Sequence, residues 1–322
     1  MDYAILKKLV FRHSTPGDEG DVVSILRGKW EAEGWRVSAL GHQALLARTP
    51  RWKEGRPSVL ICAHADSPGY IVQSIESENE GMAITLGGPH ILREGQAVSV
   101  KALDGTLFPG RIYNALQNFK VKVGKDYKLE RGQRICWKPS FKSDGDYLVA
   151  PFLDNRAGCF LLYLLSECVF DCNVELAVTG TEEFLGFGAA ALAANTRPDM
   201  VLALDVTYVD EAQQVLFGKG PVVTVCDKSI ALSPAQVNAL GQLCKRWKLP
   251  LQTEYYNYSG TDAAAFGKAG HCCPVLPLLL PTEGNHTSKE KICKADIESL
   301  LALLKKMIGN LKSTIDLLRC DF

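Results

Sequence analysis

The stretch Val174-Glu-Leu-Ala-Val-Thr-Gly-Thr-Glu-Glu183 decides the fold. Val174–Thr179 reads as a buried strand, and the acidic doublet Glu182-Glu183 follows just past its carboxyl end. Three other strand-like runs stop in the same way. Ser58–Ala63 leads into His64-Ala-Asp66, Met200–Leu204 leads into Asp205, and Pro274–Leu280 leads to a short loop carrying His286. In an open α/β sheet, ligands bind in the crevice outside the carboxyl ends of the strands. Carboxylates and imidazoles gathered there have the donor chemistry of a hydrolytic metal site.

Working outward, the first residues predict a helix through Leu6–Phe11, broken at Pro16-Gly17, and a second amphipathic helix from Asp21. Between Ile71 and Asp146 the texture changes to short alternating segments, among them Ala97–Ala102, Thr106–Gly110, Phe119–Val123 and Gln133–Trp137. Asp104-Gly105 supplies a hairpin turn, and closely spaced strands of this kind predict a small barrel or sandwich. The α/β pattern resumes at Tyr147–Ala150, followed by helices at Ala157–Val169, Phe187–Asn195, Pro234–Trp247 and Ala295–Leu311. The expected architecture is a mixed central sheet flanked by helices, residues 1–70 and 147–322, with a β-rich domain inserted at 71–146 as an oligomerisation unit or lid.

Composition excludes several classes. The 36 basic and 36 acidic residues cancel, so no broad attraction to nucleic acid or anionic membrane is expected. No apolar run is long enough to span a bilayer, and no leader pattern opens the chain, which predicts a cytoplasmic protein. The 11 cysteines are odd in number and show no CxxC spacing, so they read as reduced thiols, most of them buried.

Two divalent ions about 3.5–4 Å apart can clamp a hydrolytic water and polarise a carbonyl together. Such a pair needs a bridging carboxylate, terminal ligands and a nearby base. Asp154, in Phe152-Leu-Asp-Asn-Arg-Ala-Gly158, suits the bridge. His64 and Asp205 suit one ion, and Glu183 and His286 the other. Glu182 is left as the general base, and Asp66 fits a supporting role, holding the His64 imidazole through its other nitrogen. Singly, each has a plainer reading: a loop or cap for His64-Ala-Asp66, a solvated pair for Glu182-Glu183, a helix cap for Asp154, a turn for Asp205. Their conjunction at the strand ends of one layer favours the site. Asp262, in Gly260-Thr-Asp262, reads either as a cap for the alanine-rich segment after it or as part of a substrate pocket. Tyr255–Tyr258 reads as packing, and His13, His42, His90 and His271 as structural or surface residues.

With these motifs in order, the chain resembles the M42 family of dinuclear metallo-aminopeptidases, the glutamyl and tetrahedral aminopeptidase group. The resemblance runs through Ser14–Glu19, Ala63–Asp66, Leu153–Gly158, Thr181–Glu183, Leu204–Thr207, Gly218–Pro221, Gly260–Ala263 and His286–Ser288, which is essentially full length. It implies a catalytic α/β domain with a β-rich insert after the HxD strand, the same ligand division, and Glu182 as proton shuttle. It also implies two divalent ions (zinc or cobalt), a peptide substrate, and homo-oligomers built through the insert. Three stretches depart from the family pattern: Ser67-Pro68, Glu283-Gly-Asn285, and a short insert between Tyr113 and Tyr127. The expected activity is removal of amino-terminal residues from short peptides. Its rivals are a deacylase acting on a small N-acylated metabolite and a non-catalytic, metal-stabilised assembly protein.

Overall fold

The computed structural model describes residues 1–114 and 118–319; the remainder of the Tyr113–Tyr127 stretch and Cys320 lie outside the described residues. Helices α1 (Ala4–Val10) and α2 (Gly20–Ala32) precede strands β1 (Arg36–Leu40), β2 (Ala44–Arg48) and β3 (Ser58–His64). Six strands then close on themselves as an inserted barrel. They are β4 (Gly69–Ser77), β5 (Glu80–Leu86), β6 (Gln96–Lys101), β7 (Leu107–Asn114), β8 (Phe119–Val123) and β9 (Arg134–Trp137), in the order β4-β5-β8-β7-β6-β9. The chain re-enters the main layer with β10 (Lys142–Asp144) and β11 (Tyr147–Ala150), then α3 (Leu153–Leu165), β12 (Asn173–Thr179), α4 (Phe187–Asn195) and β13 (Met200–Tyr208). It ends with β14 (Val222–Cys226), α5 (Pro234–Trp247), β15 (Gln252–Tyr255), α6 (Ala263–Lys268), β16 (Val275–Glu283), β17 (Glu290–Cys293), α7 (Lys294–Gly309) and α8 (Leu311–Leu318).

The main sheet runs β1-β2-β12-β3-β13-β16-β17-β11-β10, with β14 and β15 attached beside β16. Its centre is parallel: β3 pairs in parallel with both β12 and β13, and β13 with β16. Parallel strands are covered on both faces, which explains why every residue of β3 and β12 is buried. Along β3, Val59, Ile61 and Ala63 join the core that contains Phe160 and Leu161 of α3. Leu60 and Cys62 join a second core with Leu192 of α4 and Phe266 of α6. The alternation of period two therefore sorts one strand between two helix layers.

The barrel is filled by the inward residues of its alternating strands. Tyr70 packs edge-on against Phe119 and Trp137, with ring centroids 4.8 and 5.7 Å away. On β6 burial alternates strictly, with Val98 and Val100 inside.

Some sequence expectations need correction. β2 was not foreseen, although Ala44–Ala47 are all buried against β12. The apolar helix stops at Leu165, because Ser166 turns its hydroxyl back onto Tyr163 O and Val169 is 71% exposed. The closing helix breaks at Asn310 into α7 and α8. Among the described residues the cysteines are unbridged thiols, most buried or half-buried; Cys226 and Cys272 are exposed. No described helix is long and apolar enough to cross a membrane.

His13 is a structural histidine at the junction of the two units. Its Nε2 lies 3.2 Å from Thr15 Oγ1, and its Nδ1 lies 3.4 Å from Cys136 Sγ on β9. Burial, then the nearby Lys101, Arg156 and Arg134, lower its pKa to about 3. Asp18 stands 3.3 Å from the ring but is shared with Lys101 Nζ at 2.8 Å, so its pull is offset. Between pH 6.5 and 3 the unfolded chain binds this proton and the folded chain does not, so stability falls as pH falls. From pH 7 to pH 5 the expected loss from His13 is about 2 kcal/mol. Glu175 and Glu254, whose carboxyls burial holds above the usual range, act in the opposite direction. The reading is therefore the difference between wild type and His13→Asn in denaturant melts at the two pH values. Equal pH slopes for the two proteins would refute it.

Candidate metal centre

The order β12-β3-β13-β16 places the carboxyl ends of four parallel strands side by side. His64 is the last residue of β3, and Glu182-Glu183 follow β12 after a turn at Thr181. Asp205 lies within β13, which continues to Tyr208, so it is a strand residue and not the start of a turn. His286 follows β16 in the left-handed region at φ 63°. Asp154 stands at the start of α3 with non-helical φ and ψ of −80° and 106°. All five ligand candidates and Glu182 converge on this crevice.

The distances divide the cluster in two. Asp154 Oδ1 is 3.3 Å from His64 Nε2, which is in turn 3.4 Å from Asp205 Oδ1. Asp154 Oδ2 is 3.3 Å from His286 Nε2, which is 3.3 Å from Glu183 Oε2. Each oxygen of one carboxylate thus faces a different imidazole. Glu182 stands to one side, with Oε2 4.0 Å from His64 Nε2.

The donor set fits a cation. A tetrahedral ion with bonds of about 2.0–2.1 Å has ligand atoms about 3.3–3.4 Å apart, the spacing seen here. Donor atoms of His64, Asp154 and Glu183 lie within 4.8 Å of one another. Asp154 Oδ1 and Glu183 Oε1 are buried and lack a hydrogen-bond partner among the described residues. Unpaired buried carboxylate oxygens are costly, and a cation is what would satisfy them.

Both imidazoles are aimed by their second nitrogen. His64 Nδ1 is 3.1 Å from Asp66 O, and His286 Nδ1 is 3.2 Å from Gly88 O. A carbonyl only accepts, so each Nδ1 carries a proton, and Nε2 is the nitrogen aimed at the cluster. The Asp66 carboxylate was expected on the imidazole; it lies 3.7 Å from His64 Nδ1 and makes its hydrogen bonds elsewhere. Its two oxygens accept from the main-chain N–H groups of Glu182 and Glu183, each at 3.1 Å.

Glu290, which the sequence reading missed, does the equivalent on the other side. It accepts from Asp154 N at 2.9 Å and His286 N at 3.1 Å. Its only sequence signal is one carboxylate in a short strand, and that position is buried. Arg156 is buried too and donates to Ala65 O and to Ser67 Oγ, while Ser67 donates to Asp154 O at 2.6 Å. Ser67, one of the departures from the family pattern, therefore helps seat Asp154.

Charge in the cation-free cluster is shared through protons. Burial disfavours charged His64, but Asp205, Asp154 and Asp66 outweigh it and hold its pKa well above the ordinary value. Burial also opposes charge on Asp154, yet the facing His286 and His64 hold its carboxyl below the usual range. Glu182 and Glu183 are pushed well above theirs by burial; neighbouring carboxylates add to the effect and His64 opposes it. A cation entering this cluster displaces protons.

Asp262 occupies the N-cap position of α6, but its side chain makes no capping bond. It accepts instead from Thr179 Oγ1 at 2.5 Å, and burial raises its pKa to about 6. With Glu182, Leu185 and Ala265 it lines a cavity of about 370 Å³ beside the cluster. Tyr255 and Tyr258 are 56% and 60% exposed, so they are not core packing. His90 is exposed, as expected of a surface residue, and its ring lies nearly parallel to that of His286 with centroids 6.3 Å apart.

Comparison with known proteins agrees with this geometry. The family model described as M42 glutamyl aminopeptidase matches residues 120–303, more than half of the chain. The FrvX protein of Escherichia coli (strain K12) is 27% identical over 344 residues, covering 97% of this chain and 96% of its own. The TET aminopeptidase of Thaumarchaeota archaeon SCGC AB-539-E09 superposes with a TM-score of 0.88 at 22% identity, over 97% of this chain and 98% of that one. PhTET1-12s, solved as a dodecamer in the asymmetric unit, gives 0.83 at 22% identity over 94% and 97%. The sequence match and the shared fold, with a candidate metal-ligand cluster at the strand ends, lead to one conclusion: the chain belongs to the M42 glutamyl aminopeptidase family of peptidases.

Proposed function

We propose that this chain removes amino-terminal residues from short peptides at a two-ion centre. The observation that carries the reading is Asp154, whose two oxygens face two separate imidazole–carboxylate pairs. When bound, a pair of divalent ions such as zinc or cobalt supplies Lewis acidity and lowers the pKa of water. In this reading His64 and Asp205 hold one ion, Glu183 and His286 the other, and Asp154 bridges. Asp66 and Glu290 fix the main chain of the ligand-bearing segments. Glu182 accepts a proton from the attacking water and returns it to the leaving amine.

The test compares hydrolysis of one short peptide with that of its N-acetylated twin by zinc- or cobalt-loaded protein. Cleavage of the free-amine peptide alone is expected. Cleavage of the acetylated twin alone would replace the reading with a deacylase, and cleavage of neither would remove the peptidase assignment for these substrates. Homo-oligomers built through the barrel belong to the same proposal, and a monomeric mass in light scattering would exclude them.

A further inference from the structure

The two halves of the centre are held by different parts of the molecule. His64 and Asp205 are fixed from within the main layer. Cys159 Sγ of α3 donates to His64 O at 3.3 Å, Val206 N donates to Asp205 Oδ1 at 2.8 Å, and Asn155 Nδ2 donates to Leu204 O at 2.7 Å. Glu183 and His286 instead meet the inserted barrel, through the loop that joins β5 to β6.

That loop touches His286 at three points. Gly88 O accepts from Nδ1, His90 N donates to His286 O at 2.9 Å, and the His90 ring lies nearly parallel to the His286 ring, with 20° between their planes. Its first residue touches Glu183. Gly87 has φ +79°, and a Cβ there would lie 3.1 Å from Glu183 O and 3.3 Å from Glu183 Cβ. These are distances at which the neighbour must yield. His286 itself sits in the left-handed region, a conformation that a non-glycine residue keeps only where its surroundings over-determine it. Glu290 grips its N–H from the main layer, and the barrel loop grips the ring and carbonyl.

We propose that the Gly87–His90 loop is the positioning element of the Glu183/His286 half, so that this half takes its ion only with the barrel loop seated. The inference rests on the two-ion reading given above. Groups behind a ligand typically alter metal affinity about 10–100-fold. Gly87→Ala combines an unfavourable φ with pressure on Glu183. Gly105→Ala is its control, since Gly105 has φ +90° on the hairpin between β6 and β7 with open space around its Cβ position. The control carries the same backbone cost in the same barrel, away from the loop.

The experiment titrates metal-stripped wild type and variants with Zn²⁺ by calorimetry, with circular dichroism confirming the fold. Wild type and Gly105→Ala are expected to take two ions alike. Gly87→Ala is expected to bind one of them about tenfold or more weakly and the other unchanged. His90→Ala, which removes only an exposed ring, is expected to weaken the same step severalfold and covers the case in which Gly87→Ala does not fold. Two unchanged affinities, or equal weakening of both, would overturn the inference. If wild type takes a single ion, the two-ion reading fails by itself. The role of the loop then stands if these variants weaken that ion, and falls if they do not.

Discussion

Glu182→Gln leaves the ion content of the protein unchanged and lowers kcat by about 10²–10⁴-fold, with little change in KM. The amide keeps the size and hydrogen-bonding reach of the carboxylate but cannot take a proton. Glu182 stands outside the Asp154–imidazole pairs, 4.0 Å from His64 Nε2, so its loss removes no close donor from either half. Its N–H remains on Asp66, which holds the turn in place whatever the side chain becomes. Steady-state kinetics with metal analysis on the same preparation reads both quantities. A kcat within tenfold of wild type would move the proton-transfer role elsewhere.

Asp154→Asn is expected to do more. One amide oxygen cannot face two centres, and the amide N–H₂ has no lone pair to offer a cation on its side. The variant should retain fewer than two ions after dialysis and show no measurable turnover. Its metal-free form should also melt lower than metal-free wild type. The reason is the direction of the wild-type titration: the facing His286 and His64 hold Asp154 below the ordinary carboxyl range, so its ionised form stabilises the fold. Breaking a buried charge pair by removing one partner costs about 3–5 kcal/mol, and the neighbouring Asp205 and Glu183 soften that loss here. Two ions retained by Asp154→Asn would refute the bridging role.

The main layer was legible because each of its central strands is an apolar run that ends in a polar residue. The ends after Ala63, Thr179 and Leu280 placed His64, the Glu182-Glu183 doublet and His286 at one rim, and the parallel order of β12, β3, β13 and β16 brings them together. Helix α5 was legible to the residue, since Pro234 stands in its first turn, where a proline is tolerated. The change of period after Ile71 pointed to a β-rich insert, whereas the barrel opens at Gly69, its last strand ends at Trp137, and β10 already belongs to the main sheet. Glu290 and the Gly87–His90 loop were not legible, because they act through main-chain groups of residues far away in sequence. Glu290 meets Asp154 across 136 positions, and Gly88 meets His286 across 198. A side chain whose partner is a remote N–H leaves no local pattern. The same holds for Asp66, whose nearness to His64 in sequence pointed to the ring, whereas its hydrogen bonds go to Glu182 and Glu183. The apolar run to Val169 misled because hydrophobicity alone does not say where a helix leaves the core.

The five ligand candidates lie on five separate segments between positions 64 and 286, and no shorter stretch of chain contains them all. Nearly the whole main layer must therefore assemble before the full set of donors exists. Long-range parallel pairing of this kind is gained late and slowly in folding. Cation affinity then belongs to the finished fold and to none of its pieces. An ion that binds only the completed arrangement adds its free energy to global unfolding, and adds nothing against local opening that leaves the rim intact. Saturating metal should accordingly slow loss of the whole structure while amide exchange in segments that open without disturbing the rim stays unchanged.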